Sequence, residues 1–237
     1  VADAGHELRT PLTSLRTNVE LLMASMKPGA PQLPEEEMAG LRADVIGQIE
    51  ELSTLVGDLV DLTRDDAGAA VHEPVDMTEV VDRCLERVRR RRNDITFEVD
   101  VQPWQVIGDP AGLTRAILNL LDNAAKWSPP GGRVGLRLRQ VDPVHAEVVV
   151  SDHGPGIPEH ERHLVFERFY RSDTARSMPG SGLGLAIVKD VVIRHGGNVH
   201  IDDSPLGGAR FTVEFPIRDV PRPARSETLR LHRVTAS

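Results

Sequence analysis

The sequence predicts an α+β protein: a helical hairpin that assembles into a dimeric four-helix bundle, followed by an α/β domain. Three observations carry that reading. Apolar residues at alternating spacings of four and three run through the first sixty or so positions. After Asp65-Asp66-Ala67-Gly68 the pattern changes to short alternating strands separated by helices. Near the end, a glycine-rich stretch opens directly into an apolar helix. The division implied is 1–67 for the hairpin, 68–217 for the α/β domain, and 218–237 as a disordered tail.

The first helix carries Leu8, Leu12, Leu15, Val19, Leu22 and Met26, an a/d seam for packing against other helices. His6 falls one step off that seam, within Gly5-His6-Glu7-Leu8-Arg9-Thr10-Pro11-Leu12, so its imidazole flanks the seam and is reachable from solvent. Proline inside a helix costs ~3 kcal/mol. A scaffold with an incidental histidine has no reason to accept Pro11 one turn after a solvent-facing imidazole, whereas a group-accepting site that needs a loosened helix does. The segment from Lys27 to Pro34 is rich in proline and glycine and turns the chain. Pro34 starts a second helix with Glu35, Glu36 and Glu37 in its dipole-favoured first turn. Met38, Leu41, Val45, Ile49, Leu52, Leu55, Leu59 and Leu62 form its apolar face. A lone hairpin cannot bury two such faces, so a homodimer is expected.

In the second domain a strand near Glu73 to Val75 leads to a helix capped by Asp76. Cys84 lies on that helix's stripe Val80-Val81-Cys84-Leu85-Val88 and is expected to be a buried, inert thiol. The run Arg89–Arg92 reads as a solvated cationic helix end that complements the dipole. Strands follow at Ile95–Val101 and Trp104–Ile107, and Asp109-Pro110 starts the next helix. Asn119, Asn123 and Lys126 interrupt its apolar sequence at spacings of four and three, which places them on one face. The bland alternative is an exposed polar face. Amide oxygens, however, suit a hard cation such as Mg²⁺ that is completed by substrate phosphates, and Lys126 suits a phosphate as a point charge.

Pro129-Pro130-Gly131-Gly132 turns the chain into a hairpin of Arg133–Val141 and Ala146–Asp152. Asp152-His153-Gly154-Pro155-Gly156 then puts a carboxylate at a strand end, able to accept from an exocyclic base amine, although glycines there also serve a plain turn. His153 reads as a loop histidine. Phe166-Glu167-Arg168-Phe169 precedes a polar loop containing Arg171, Arg176, Pro179 and Gly180, composed as a lid would be. Gly180-Ser181-Gly182-Leu183-Gly184 opens the helix Leu185–His195, a ready anion site, but the P-loop spacing is absent.

A net charge of −8 argues against bulk nucleic-acid binding. One cysteine leaves neither an internal disulfide nor a cysteine metal site. No signal peptide and no apolar run of membrane-spanning length is present. The chain opens inside a helical pattern with no cap, as a soluble piece of something longer would.

The ordered set resembles the cytoplasmic core of a bacterial sensor histidine kinase. His6–Pro11 is similar to the H box, Asn119–Lys126 to the N box, Asp152–Gly156 to the first G box, Phe166–Phe169 to the F box and Gly180–Gly184 to the second G box. The wording around His6, with Val-Ala-Asp-Ala-Gly before it, is similar to the actinobacterial MprB-type stress sensors. The resemblance covers about residues 1–217. It implies an α/β sandwich of the gyrase–Hsp90–kinase–MutL (GHKL) type that binds ATP and Mg²⁺.

It also implies roles. His6 is the nucleophile and Glu7 orients it and takes its proton. Asn123 holds Mg²⁺ with Asn119 beside it, Lys126 and Arg171 neutralise phosphate, and Asp152 reads adenine. Trp127, where the family usually has Tyr or Phe, stacks beside the nucleotide. Gly154, Gly156, Phe169, Gly180, Ser181, Gly182, Leu183 and Gly184 complete the nucleotide site. Thr10 implies dephosphorylation of the partner response regulator, against the plainer reading of a helix-surface hydroxyl. A cytoplasmic location beneath a membrane sensor is implied, reached through segments outside this sequence. A nucleotide-binding pseudokinase scaffold and an ATPase or serine kinase sharing the fold are the competing readings; the intact boxes oppose the first and the hairpin opposes the second.

Overall fold

A computed structural model describes residues 2–27, 34–64, 73–172, 175, 178 and 180–217. The chain forms two compact units. One holds the N-terminal helices and residues 168–183; the other holds 73–167 and 184–217 among the described residues. The end of the expected turn (28–33), the junction at 65–72 and the expected tail (218–237) lie outside the described residues.

In the first unit, α1 (Ala2–Ser25) and α2 (Glu35–Arg64) pack as a hairpin, with Pro11 inside α1. The side chains of residues 1–10, and with them the expected solvent access of His6, are outside the described set. The apolar seam divides in two. Leu15 and Leu22 are half-buried on the same stripe as Asn18 and Ser25. That stripe meets α2: Gln48 donates to the Ser14 hydroxyl at 2.8 Å and Asn18 donates to Gln48 at 3.4 Å. Leu12, Val19, Met23 and Met26 on α1, and Ile46, Ile49 and Val56 on α2, remain exposed. Each helix therefore carries a second apolar stripe that the hairpin does not cover.

The second unit is a five-stranded sheet, β2 (Thr96–Val101), β4 (Arg133–Gln140), β5 (His145–Ser151), β7 (Ala209–Pro216) and β6 (Asn198–Asp203), in the order β2-β4-β5-β7-β6. β2 and β4 pair parallel and the other neighbours antiparallel. β1 (Glu73–Asp76) and β3 (Gln105–Gly108) form a separate antiparallel ribbon. Three helices, α3 (Met77–Arg91), α4 (Pro110–Trp127) and α5 (Gly184–Arg194), supply the other half of the core. Val80, Val81, Val88, Leu113, Ile117, Leu120, Leu121 and Val192 are fully buried together with Val134, Leu138, Val148, Phe211 and Phe215 of the sheet. Full burial of each such side chain is worth ~1.5–3 kcal/mol, and this helix-on-sheet layer holds the unit together.

The expected caps are present. The Asp76 carboxylate accepts from Thr78 N at 2.8 Å. The Asp109 carboxylate accepts from Ala111 N and Gly112 N, both at 3.0 Å. The far end of α5 then reaches back to this cap: His195 Nε2 accepts from Asp109 N at 2.9 Å while Nδ1–H donates to Val191 O at 2.7 Å. Gly108 permits that approach, since a Cβ there would lie 2.3 Å from the imidazole.

Cys84 is buried as expected, its Sγ–H donating to Thr114 O at 3.3 Å, and burial pushes the thiol up to about 11. Arg89, Arg90 and Arg91 stand exposed in the last turn of α3, as expected of a solvated cationic helix end. Arg89 lies 5.7 Å from the Phe97 ring centroid, Arg90 pairs with Glu86 at 3.6 Å and Arg91 with Asp122 at 3.2 Å. Arg92 turns inward.

Candidate functional site

The polar stripe of α4 is where spacing placed it, half-buried, with the apolar side of the helix in the core. Its members differ in what they touch. Asn119 Nδ2 donates to Gly184 O at 3.2 Å, so this amide fastens the first residue of α5. Asn123, one turn further on, is half-buried on the same stripe. Lys126 Nζ stands 5.4 Å from the centroid of the Trp127 ring, a cation–π arrangement that keeps the ammonium beside an aromatic face.

Asp152, 2% exposed, follows β5. Its Oδ1 accepts from Gly154 N at 2.8 Å and from Ala209 N at 3.0 Å, which shuts the loop against the start of β7. Burial raises the carboxyl above its ordinary range, while the Ala209 and Gly154 amides and nearby His153 pull it back. Both backbone donors thus stand on Oδ1. The fit is tight. A Cβ at Gly154 would lie 2.9 Å from Oδ1 and 3.0 Å from Trp127 O, and one at Gly208 only 1.9 Å from Oδ1. Gly156, at φ 78°, makes the turn that follows. Ser128 links this loop to α4, its hydroxyl accepting from His153 N at 3.2 Å. Phe166 of the F box is buried and packs edge-on against Phe211 with centroids 6.5 Å apart.

The described residues of 168–183 belong to the other unit. Phe169 takes φ 64°, uncommon for a non-glycine residue and a marker of local strain. Phe169 N donates to Gly182 O at 3.1 Å, and a Cβ on Gly182 (φ 70°) would lie 2.9 Å from the Phe169 carbonyl carbon. Ser181 Oγ accepts from Leu183 N at 3.2 Å, Leu183 is buried, and Gly180 sits at φ 143°. Arg171 donates from Nη2 to the carbonyls of Ala175 and Met178 in its own loop. Arg176 and Pro179 lie outside the described residues. His6, Glu7 and Thr10 lie within the span of α1.

Four residues that sequence alone did not single out for the site help build it: Arg92, Asp94, Ser128 and Gly208. Gly207-Gly208 between two strands was a usable signal for the last; the others reveal themselves only through contacts distant in sequence.

Comparison with known proteins assigns these parts. Residues 1–68 match the His Kinase A (phospho-acceptor) domain, and 108–219 the histidine kinase-, DNA gyrase B- and HSP90-like ATPase family. The solved structure of a mycobacterial sensor histidine kinase MprB is 68% identical, with 100% of that chain and 62% of this one aligned at a TM-score of 0.59. The chain belongs to the sensor histidine kinase family. The signal transduction histidine-protein kinase/phosphatase MprB of Mycobacterium avium (strain 104) is 74% identical over 225 residues, 93% of this chain and 43% of that protein. The chain thus spans less than half the length of the curated relatives it matches. A histidine kinase of Acinetobacter baumannii, AdeS, is 25% identical over 90% of this chain and 98% of its own, at a TM-score of 0.69. Among the described residues no helix is long and apolar enough to cross a membrane.

Proposed function

We propose that this chain is the catalytic core of a two-component sensor kinase: it binds ATP in the α/β unit, phosphorylates His6, and passes the phosphoryl group to an aspartate of a response regulator. The observation that carries the reading is the pairing, in one chain, of a phospho-acceptor hairpin with an ATPase fold whose buried Asp152 takes both backbone donors on Oδ1.

Asp152 Oδ2 accepts from the exocyclic amine of adenine, and Trp127 lies against the base. Lys126 neutralises phosphate charge, and Arg171, released from the Ala175 and Met178 carbonyls, adds a second cation. The half-buried amide of Asn123 fits Mg²⁺, a hard cation that favours oxygen donors; when bound, the ion screens the charge of the phosphate oxygens. Asn119 holds the start of α5, whose glycine-rich approach suits an anion.

The imidazole of His6 attacks the γ-phosphorus: an N–P bond forms, the bond from phosphorus to the bridging oxygen breaks, and ADP leaves. Glu7 orients the ring and accepts the proton from its other nitrogen. Phosphoryl transfer asks mainly for positioning and charge neutralisation, and these residues supply both. Thr10, one turn on, positions the water that hydrolyses the regulator's aspartyl phosphate. The uncovered apolar stripes of α1 and α2 support a homodimeric four-helix bundle. The domain division is 1–67, 68–217 and a tail at 218–237, and in the full-length protein this core lies on the cytoplasmic side of a membrane.

Incubation with γ-labelled ATP and Mg²⁺ tests the reading. Acid-labile label that disappears in His6→Gln is the expected result. Acid-stable label, or none, overturns it in favour of another kinase class or a nucleotide-binding scaffold.

A further inference from the structure

Arg92 closes α3 as its C-cap, yet its side chain serves a different helix. Nε and Nη2 form a two-pronged pair with Asp94, to Oδ1 at 2.8 Å and Oδ2 at 2.9 Å. The outer guanidinium nitrogens reach further: Nη1 donates to Ala125 O and Nη2 donates to Ser128 O at 3.2 Å. Ala125 O is one of the carbonyls that the end of α4 leaves without a helical partner. A cation at that end also complements the helix dipole. Asp94 is itself anchored, since Asp94 O accepts from Gly131 N at 3.0 Å in the turn that leads into β4.

The clamp brackets Lys126 and Trp127. Ala125 precedes them and Ser128 follows them, so both anchoring carbonyls flank the two residues assigned to phosphate and base. Ser128 carries the hold onward, because its hydroxyl accepts from His153 N, next to Asp152. Gly154 packs against this segment, since a Cβ there would lie 3.0 Å from the Trp127 carbonyl oxygen and 2.9 Å from Asp152 Oδ1. One guanidinium therefore sets the end of the N-box helix and, through Ser128, the loop that carries Asp152.

We infer that Arg92, held by Asp94, is a positioning residue of the nucleotide site: it fixes Lys126, Trp127 and the Asp152 loop in binding geometry without touching ATP. This rests on the nucleotide reading given above. A planar five-donor fork is required, and a lysine ammonium cannot occupy both carboxylate oxygens and two carbonyls.

The test uses the full chain in a Trp104→Phe background, which leaves Trp127 as the reporting tryptophan. Mg²⁺–ATP is titrated against intrinsic fluorescence, and His6 labelling is followed as a function of ATP concentration. Arg92→Gln is expected to weaken ATP binding and raise KM by ~10-fold, with kcat at saturating ATP within about twofold, because the guanidinium's hydrogen bonds shape the pocket before chemistry begins. The emission maximum of Trp127 should move to the red as the ring gains freedom. Arg92→Lys should fall between the two. Failure of the parent chain to bind ATP removes the nucleotide reading itself. A parent that binds, with Arg92→Gln folded and of equal affinity, or with kcat reduced at unchanged KM, overturns the positioning role alone. Should Arg92→Gln fail to fold, Arg92→Lys decides: unchanged affinity and unchanged Trp127 emission reject the inference.

Discussion

The amide nitrogen of Asn119 donates to the carbonyl of Gly184 across 3.2 Å, joining the N-box helix to the first residue of α5. The roles proposed for the two asparagines one turn apart on this stripe can be separated. Asn119→Ala should lower ATP affinity by ~10-fold through loss of one anchoring bond, with the Mg²⁺ concentration for half-maximal labelling unchanged. Asn123→Ala should raise that Mg²⁺ requirement and cut labelling ~100-fold or more. A shifted Mg²⁺ requirement in the Asn119 variant, and none in the Asn123 variant, would exchange the assignments.

Gly208 leaves no room beside Asp152. Gly208→Ala drives a Cβ to within 1.9 Å of Oδ1 and 2.5 Å of Gly154 N. Overpacking of this kind costs about 1–3 kcal/mol, read by urea unfolding, and ATP binding should drop with it. Gly135→Ala on the same sheet is the control, because its Cβ meets nothing nearer than 3.7 Å. Equal behaviour of the two variants would show that the loop can move aside.

Asp152 separates binding from stability. Its carboxyl is raised above 3.8, chiefly by burial, so the charged form weighs against the folded state at neutral pH. For an acid raised on folding, the favourable contribution is present below the unfolded value and is lost as pH rises through the folded one. Asp152→Asn keeps an oxygen for Gly154 N and Ala209 N and removes the buried charge. It should be at least as stable as the parent at pH 7, and that advantage should shrink as pH falls toward the carboxylate range. ATP binding should nevertheless be lost, because an amide –NH₂ would face the adenine amine. Marked destabilisation at pH 7 would contradict the account.

Cys84 should not react with thiol reagents in the folded chain at pH 8. The thiol is 2% exposed and shifted to about 11, and reactivity follows the thiolate. Mass spectrometry should find a single adduct only after unfolding; fast labelling of the native chain would refute the burial.

The exposed stripe of the hairpin should control assembly. Val19→Glu places a charge among Leu12, Met23 and Met26, and light scattering should report a shift from dimer to monomer. Leu15→Ala acts on the side that faces α2 and should lower hairpin stability instead. A Val19→Glu chain that stays dimeric would rule out this stripe as the interface.

Local chemistry made much of this molecule readable from its letters. Asp76 and Asp109 announced two helices because a side-chain cap is settled within three residues. Asn119, Asn123 and Lys126 fell on one face because helical spacing is rigid. Strands β6 and β7 were not foreseen, nor was the parallel pairing of β2 with β4, since partner choice in a sheet depends on residues far along the chain. The roles of Arg92 and Gly208 were hidden for the same reason: an arginine in a run of four gives no sign of which one turns inward.

The parallel register of β2 on β4, Thr96 opposite Arg133 through Val101 opposite Leu138, has a kinetic consequence. Antiparallel β4 and β5 are joined by a tight hairpin and can zip locally, whereas β2 reaches β4 only by way of β3 and α4. The helix that bears Asn119, Asn123 and Lys126 belongs to that crossover. Loop closure across such a connection comes late in folding because its entropy is spent before the strands reward it. The chain therefore cannot complete its sheet before it has laid down α4, the helix that bears Asn119, Asn123 and Lys126.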